Sequence, residues 1–85
     1  MITIYGKANC GFCTKAKAFA EQRGFEYTYK DVGRSQADLN ELMEKAPVQV
    51  KSVPQIWVRN EYVGGYKQLI EYVENTAYTG TGWTL

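Results

Sequence analysis

The 85-residue chain contains no histidine, and it has only two prolines and two cysteines. Without histidine it lacks the commonest general base and the commonest zinc ligand of proteins. Its ten basic and nine acidic residues leave a net charge of +1, which gives no electrostatic reason to bind nucleic acid or a membrane surface. No apolar run approaches the roughly 18 residues of a transmembrane helix. We therefore expect neither nucleic acid nor a membrane among its partners.

The start of the sequence indicates where the protein is located and therefore what chemistry its cysteines have, and its length indicates how many domains it forms. Residues 1–5 lack the charged start and the cleavage site of a signal peptide, so a cytoplasmic location is expected. Disulfides are seldom structural in the cytoplasm, and two closely spaced cysteines there indicate redox or metal chemistry. The length predicts a single domain over residues 1–85, with a loosely held tail over 79–85 in which Trp83 provides the one docking side chain.

Hydrophobic periodicity divides the chain into seven elements. Strands are predicted over residues 1–5, 25–30, 55–58 and 61–63. Helices are predicted from Gly11 to the terminating Gly24, from a capping box at Ser35 to Pro47, and after the Gly64–Gly65 pair. Their predicted apolar faces are Phe12, Ala16, Phe19 and Ala20 in the first helix, Leu39, Leu42, Met43 and Ala46 in the second, and Leu69, Ile70, Val73 and Ala77 in the third. The order β-α-β-α-β-β-α predicts an α/β fold with a four-strand mixed sheet flanked by three helices, its first two strands parallel.

The two cysteines form a C-x-x-C motif, Cys10 and Cys13, at the start of the first predicted helix. Residues three apart on a helix lie about 5–6 Å from each other, close enough for a disulfide. The first helical turn offers unpaired N–H groups and a partial positive charge. A thiolate at Cys10 is expected to accept hydrogen bonds from the N–H groups of Phe12 and Cys13, which would hold its pKa below the ordinary value of about 8.5. Lys7 adds a cation, and Cys13 is expected to be less exposed.

This asymmetry predicts thiol–disulfide exchange. Cys10 attacks a substrate disulfide to form a mixed disulfide, and Cys13 then attacks Cys10 and releases the reduced product. No external base is needed, in keeping with the absence of histidine. There are two alternatives to a redox pair. The cysteines could be buried and inert, or they could be half of a zinc site. Zinc usually takes four ligands, and the chain has no second cysteine pair to complete such a site.

Three separated segments, residues 7–13, 52–54 and 63–66, resemble the glutaredoxin family of the thioredoxin fold, in particular the compact glutaredoxins of bacteria and bacteriophages. The resemblance covers roughly residues 1–75. It implies a thiol–disulfide oxidoreductase in which Cys10 is the nucleophile and Cys13 the resolving thiol. It also implies that glutathione is the reductant, that no cofactor is tightly bound and no metal is held, and that the protein is a monomer.

The resemblance further implies a glutathione groove. In it, Lys7 and the third helix's N-terminus each bind a carboxylate, Phe12 forms an aromatic wall, and Val53 offers its backbone beside a cis Pro54. The residues that the resemblance places in the groove are Lys7, Phe12, Val53, Pro54, Gly64, Gly65, Tyr66 and Lys67. The implied clients are proteins with disulfides, ribonucleotide reductase among them, and glutathione mixed disulfides.

Two departures from the family pattern keep alternative functions open. The common C-P-Y-C motif is replaced by one with Gly11 and Phe12, which matches the opening of the monothiol class. Lys67 and Gln68 stand where many members have an acidic residue that meets the amino group of glutathione. The alternatives are a redoxin reduced by thioredoxin reductase, and a carrier of an iron–sulfur cluster held between two chains by Cys10 and glutathione.

Overall fold

A computed structural model of the chain describes residues 1–76 and shows seven elements in the predicted order. These are β1 (Ile2–Gly6), α1 (Gly11–Gln22), β2 (Tyr27–Asp31), α2 (Gln36–Lys45), β3 (Gln55–Val58), β4 (Glu61–Gly64) and α3 (Tyr66–Thr76). The sheet order is β2-β1-β3-β4, with β1 and β2 parallel and the other pairs antiparallel. The predicted α/β architecture is confirmed. The predictions for Ala77, Trp83 and the tail over 79–85 lie outside the described residues.

The sheet separates two apolar clusters because successive side chains of a strand point to opposite faces. The larger cluster lies between the sheet and the helices α1 and α3; it contains Ile2, Ile4, Ala16, Ala20, Phe25, Ile56, Val58, Leu69 and Val73. The smaller cluster lies under α2 and contains Tyr5, Leu42 and Trp57. On this second face Tyr5 donates a hydrogen bond of 2.6 Å to Glu41, which also pairs with Lys30. The strand β1 is therefore covered on both sides, and its end at Gly6 is fixed in position.

The helix and turn signals act as predicted. The Ser35 hydroxyl accepts the N–H of Asp38 at 3.2 Å and caps α2. Gly24, with φ of +71°, follows the last turn of α1. Arg59 and Asn60 adopt φ of +53° and +71° between β3 and β4, the left-handed pair of a tight hairpin turn.

Three predictions of local structure are wrong. Met43 is 54% exposed because α2 buries only a narrow stripe around Leu42. Phe12 is 59% exposed because the first turn of α1 extends past the core, where its ring stacks on Tyr66 instead. Phe25 is buried but precedes β2, which begins at Tyr27. Of these, the exposure of Phe12 matters for function, because it leaves an aromatic ring beside the cysteines.

Candidate active site

Cys10 stands at the N-cap of α1, where the chain turns from strand to helix. Asn9 takes a left-handed φ of +64°, and Cys10 itself is extended. The Cys10 Sγ accepts the backbone N–H of Cys13 at 3.2 Å, one of the two contacts expected from the sequence. The first turn of α1 contains no acidic residue. After reduction, the helix start therefore stabilises a thiolate at Cys10 through an N–H donor and the helix dipole.

Cys13 lies one turn further along and is fully buried, whereas Cys10 is partly exposed. The two residues are joined by a disulfide, with their Cα atoms 5.2 Å apart. The predicted asymmetry is confirmed: one sulfur can meet a substrate, and the other can meet only its neighbour. The alternative of two buried, inert cysteines is wrong, because Cys10 is accessible and the pair is bonded.

The loop before β3 approaches Cys10 from the other side. The Val53–Pro54 peptide bond is cis, as the resemblance implied. The Cys10 Sγ lies 3.6 Å from the Val53 carbonyl oxygen. Val53 is half-buried and Pro54 is buried, so the backbone of this loop forms a fixed wall beside the reactive sulfur.

A groove of about 270 Å³ continues from this wall to the start of α3. It is lined by Phe12, Ser52, Val53, Pro54, Gly65, Tyr66, Lys67 and Gln68. The rings of Phe12 and Tyr66 stack with their centroids 6.1 Å apart and form its aromatic part. We call this the Phe12 groove.

The Phe12 groove unites most of the predicted binding residues but not all of them. Phe12, Val53, Pro54, Gly65, Tyr66 and Lys67 line it, whereas Lys7 and Gly64 do not. Sequence reasoning had not placed Gln68 in the site. Its Oε1 accepts the N–H of Gly65 at 3.1 Å and so occupies a donor at the start of α3. The signal available was its position, since it stands where many family members are acidic.

Lys7 lines a second cavity, between α1 and β2, which we call the β2-side cavity. Its volume is about 400 Å³, and it is lined by Lys7, Ala8, Thr14, Lys17, Ala18, Glu21, Tyr29 and Asp31. The cavity contains two basic and two acidic side chains, and it shares no lining residue with the Phe12 groove. The two openings are therefore separate.

Over residues 1–76, no group of three or more His, Cys, Asp or Glu side chains is arranged to hold a metal ion. No helix within that range is sufficiently long and apolar to cross a membrane.

A parallel β1–α1–β2 unit, a cysteine pair at the start of its helix and a cis-proline beside the outer sulfur define a dithiol–disulfide redox domain of the thioredoxin fold. The glutaredoxin family model matches residues 2–63. Glutaredoxin 1 of Escherichia coli is 33% identical over 76 residues, covering 84% of this chain and 89% of its own. The chain belongs to the glutaredoxin family, and it is a thiol–disulfide oxidoreductase.

Solved structures agree with this assignment. Reduced glutaredoxin of Escherichia coli superposes with a TM-score of 0.73 at 31% identity, covering 89% of this chain and 95% of that one. A buckwheat glutaredoxin, solved as a complex with glutathione, superposes with a TM-score of 0.70. The two chains are 19% identical, and the superposition covers 87% of this chain and 68% of the buckwheat chain. This match shows a shared fold only.

Proposed function

We propose that the chain reduces protein disulfides and glutathione mixed disulfides with electrons from glutathione. The observation that carries this proposal is the Phe12 groove, whose lining residue Val53 has its carbonyl oxygen 3.6 Å from the Cys10 sulfur. The groove also contains two stacked aromatic rings and a lysine, Lys67. A groove with these features suits a tripeptide thiol that carries carboxylates.

Glutathione fits the groove in an extended form. Its sulfur meets Cys10, and its peptide backbone pairs with the backbone of Val53, in a one-residue version of strand addition. Phe12 and Tyr66 cover its apolar surface, and Lys67 at the start of α3 attracts a carboxylate. The buckwheat relative of the same fold binds glutathione in its solved complex, which supports this choice of ligand.

The exchange reaction balances without an added cofactor. The Cys10 thiolate bonds to one sulfur of the substrate disulfide, and the other sulfur leaves as a thiolate that takes up a proton. Cys13 then bonds to Cys10 and displaces the remaining substrate sulfur, which completes a two-electron reduction. Two molecules of glutathione return the Cys10–Cys13 disulfide to the dithiol and become glutathione disulfide.

Gln68 and Lys67 make this groove different from the pattern of many family members. A glutathione carboxylate that approaches the N–H of Gly65 must displace the amide oxygen of Gln68, which already accepts it. Lys67 repels the ammonium group of glutathione but attracts either carboxylate. We therefore infer that glutathione is held mainly by its carboxylates and that the residue pair 67–68 reduces its affinity.

The setting of the reaction follows from the family and the sequence. We propose that the protein acts as a monomer in the cytoplasm, and that its clients are proteins that form a disulfide in turnover, with ribonucleotide reductase as one of them. The proposed glutathione groove uses Phe12, Val53, Pro54, Gly65, Tyr66 and Lys67, and Lys7 and Gly64 lie outside its lining.

Steady-state reduction of a small glutathione mixed disulfide tests the proposal. The assay is coupled to glutathione and glutathione reductase, with a parallel assay coupled to thioredoxin reductase. We expect turnover with glutathione in the native protein and in Cys13→Ser, and none in Cys10→Ser. Turnover only with thioredoxin reductase would show that thioredoxin reductase, and not glutathione, is the electron source, while the assignment as a thiol–disulfide oxidoreductase would stand.

The iron–sulfur alternative is checked on the same preparation. A cluster shared by Cys10 and glutathione of two chains would give a brown protein with acid-labile sulfide after anaerobic purification. We expect a colourless monomer without labile sulfide, since Cys13 stands ready to displace a ligand from Cys10.

A further inference from the structure

The end of β1 brings a phenol and the buried thiol to one point. A Cβ atom built on Gly6 would lie 2.5 Å from the Tyr29 hydroxyl oxygen and 2.9 Å from the Cys13 Sγ. The sum of these distances, 5.4 Å, is the largest separation that the two atoms can have. Only glycine fits at this position, so the Tyr29 hydroxyl and the Cys13 sulfur both lie against the backbone of Gly6.

Cys13 needs a route for a proton. It must lose its S–H proton when it attacks Cys10, because the thiolate is the nucleophile. The side chain has no contact with solvent, and the chain has no histidine to act as a base. A buried thiol in this position exchanges its proton slowly unless a polar group connects it with water.

The side chain of Tyr29 lies between Gly6 and the β2-side cavity. Its side chain lines the β2-side cavity of about 400 Å³, together with Lys7 and Asp31. Its hydroxyl donates a hydrogen bond of 3.3 Å to the Lys7 carbonyl oxygen at the mouth of that cavity. The Tyr29 hydroxyl oxygen can still accept a hydrogen bond while its proton is donated to Lys7. The same hydroxyl therefore connects the surroundings of the Cys13 sulfur with the β2-side cavity.

We propose that the Tyr29 hydroxyl carries the proton of Cys13 to solvent during the resolving step. As the Cys13–Cys10 bond forms and the bond between Cys10 and the substrate sulfur breaks, the hydroxyl oxygen accepts the thiol proton. The hydroxyl redirects its own proton from the Lys7 carbonyl oxygen to water in the β2-side cavity, and the departing substrate thiolate takes up a proton from solvent. The proton count and the two-electron exchange both balance.

Burial and the charges around Tyr29 keep its hydroxyl protonated and neutral, which is the state that can both accept and donate a proton. Burial and the nearby carboxylate of Asp31 raise the pKa of Tyr29, so its hydroxyl stays neutral in the range in which a thiol ionises. From α1, the Nζ of Lys17 lies 5.2 Å from the ring centroid, and Glu21 lines the same cavity. Lys7 faces the hydroxyl with its carbonyl oxygen. A neutral hydroxyl accepts and donates at the same time.

Tyr29→Phe tests the relay without glutathione, so its result is independent of the proposed electron donor. The reduced protein is mixed with 5,5′-dithiobis(2-nitrobenzoate) in a stopped-flow instrument. Cys10 releases the first thionitrobenzoate, and the attack of Cys13 releases the second. We expect Tyr29→Phe to leave the first phase unchanged and to slow the second about tenfold near pH 6.5, below the roughly 100-fold of a directly positioned acid or base.

The pH profile separates a relay from a structural effect. The difference between the variant and the native protein should become smaller as the pH rises, because a thiolate needs no proton acceptor. Tyr27→Phe is the matched control, since it removes a hydroxyl from the same strand that bonds Glu21 at 2.9 Å. An unchanged second phase in Tyr29→Phe, or one slowed equally at every pH, would overturn the proposal.

Discussion

The two sulfurs of the disulfide meet two different environments. Cys10 lies beside the Val53 carbonyl oxygen at the Phe12 groove, which is largely apolar and offers fixed walls to a ligand. Cys13 is sealed from that groove and lies near the β2-side cavity, whose lining mixes cations, carboxylates and a phenol. Our two proposals thus assign substrate recognition to one of these regions and proton transfer to the other. A residue on one side should affect the first exchange, and a residue on the other side the second.

The largest effects should come from the sulfurs themselves. Cys10→Ser is expected to abolish every disulfide exchange, because the buried Cys13 cannot meet a substrate. Cys13→Ser should abolish the reduction of insulin disulfides, which requires the resolving attack, and retain turnover of a glutathione mixed disulfide. Both activities are measured on both variants. Residual exchange in Cys10→Ser would show that the assignment of nucleophile and resolving thiol is wrong.

Gly6→Ala disturbs the Cys13 side alone. The added methyl would lie 2.5 Å from the Tyr29 hydroxyl and 2.9 Å from the Cys13 sulfur, so one of them must move. Such overpacking costs about 1–3 kcal/mol, which urea denaturation of the oxidised protein can measure.

Gly11→Ala is the control for Gly6→Ala. A Cβ on Gly11 meets nothing within 4 Å. In a helix, Ala in place of Gly is typically stabilising by roughly 0.5–1 kcal/mol, so this variant should be neutral or more stable. Equal stability losses in the two variants would mean that the crowding at Gly6 is not the cause.

Phe12→Ala removes the aromatic wall on the Cys10 side. Phe12 is 59% exposed, so its loss should leave the free energy of unfolding within about 0.5 kcal/mol of the native value. Burial of apolar surface contributes about 25 cal/mol per Å², so losing about 20–50 Å² of contact with glutathione should raise the KM for a glutathione mixed disulfide by about two- to tenfold. Met43→Ala, which removes another exposed apolar side chain, is the control. A large loss of stability with an unchanged KM would assign Phe12 to the core rather than to the groove.

The sequence was sufficient to predict the order of elements, the parallel β1–β2 pair and the two unequal cysteines. These follow from periodicity, capping residues and spacing, which are properties of neighbouring residues. It did not reveal the exposure of Phe12, the contact of Gln68 with Gly65, or the separation of Lys7 from the Phe12 groove. The exposure of Phe12 and the separation of Lys7 depend on how elements far apart in the chain pack together, and local patterns do not encode that geometry. The Gln68–Gly65 contact spans only three residues, and the glutamine in the first turn of the third helix was a local signal for it.

The smallest expected effect concerns Lys67, an exposed lysine in the lining of the Phe12 groove. Exposed ion pairs contribute about 0.2–1 kcal/mol, so Lys67→Gln should raise the KM for a glutathione mixed disulfide by only about two- to threefold at low salt. The difference should disappear near 1 M salt, where the Debye length falls to about 3 Å. Arg34→Gln removes an equal charge from an exposed position before α2 and should leave KM unchanged. A lower KM in Lys67→Gln would mean that the lysine faces the ammonium group of glutathione, and that the ligand lies in the groove in the opposite direction.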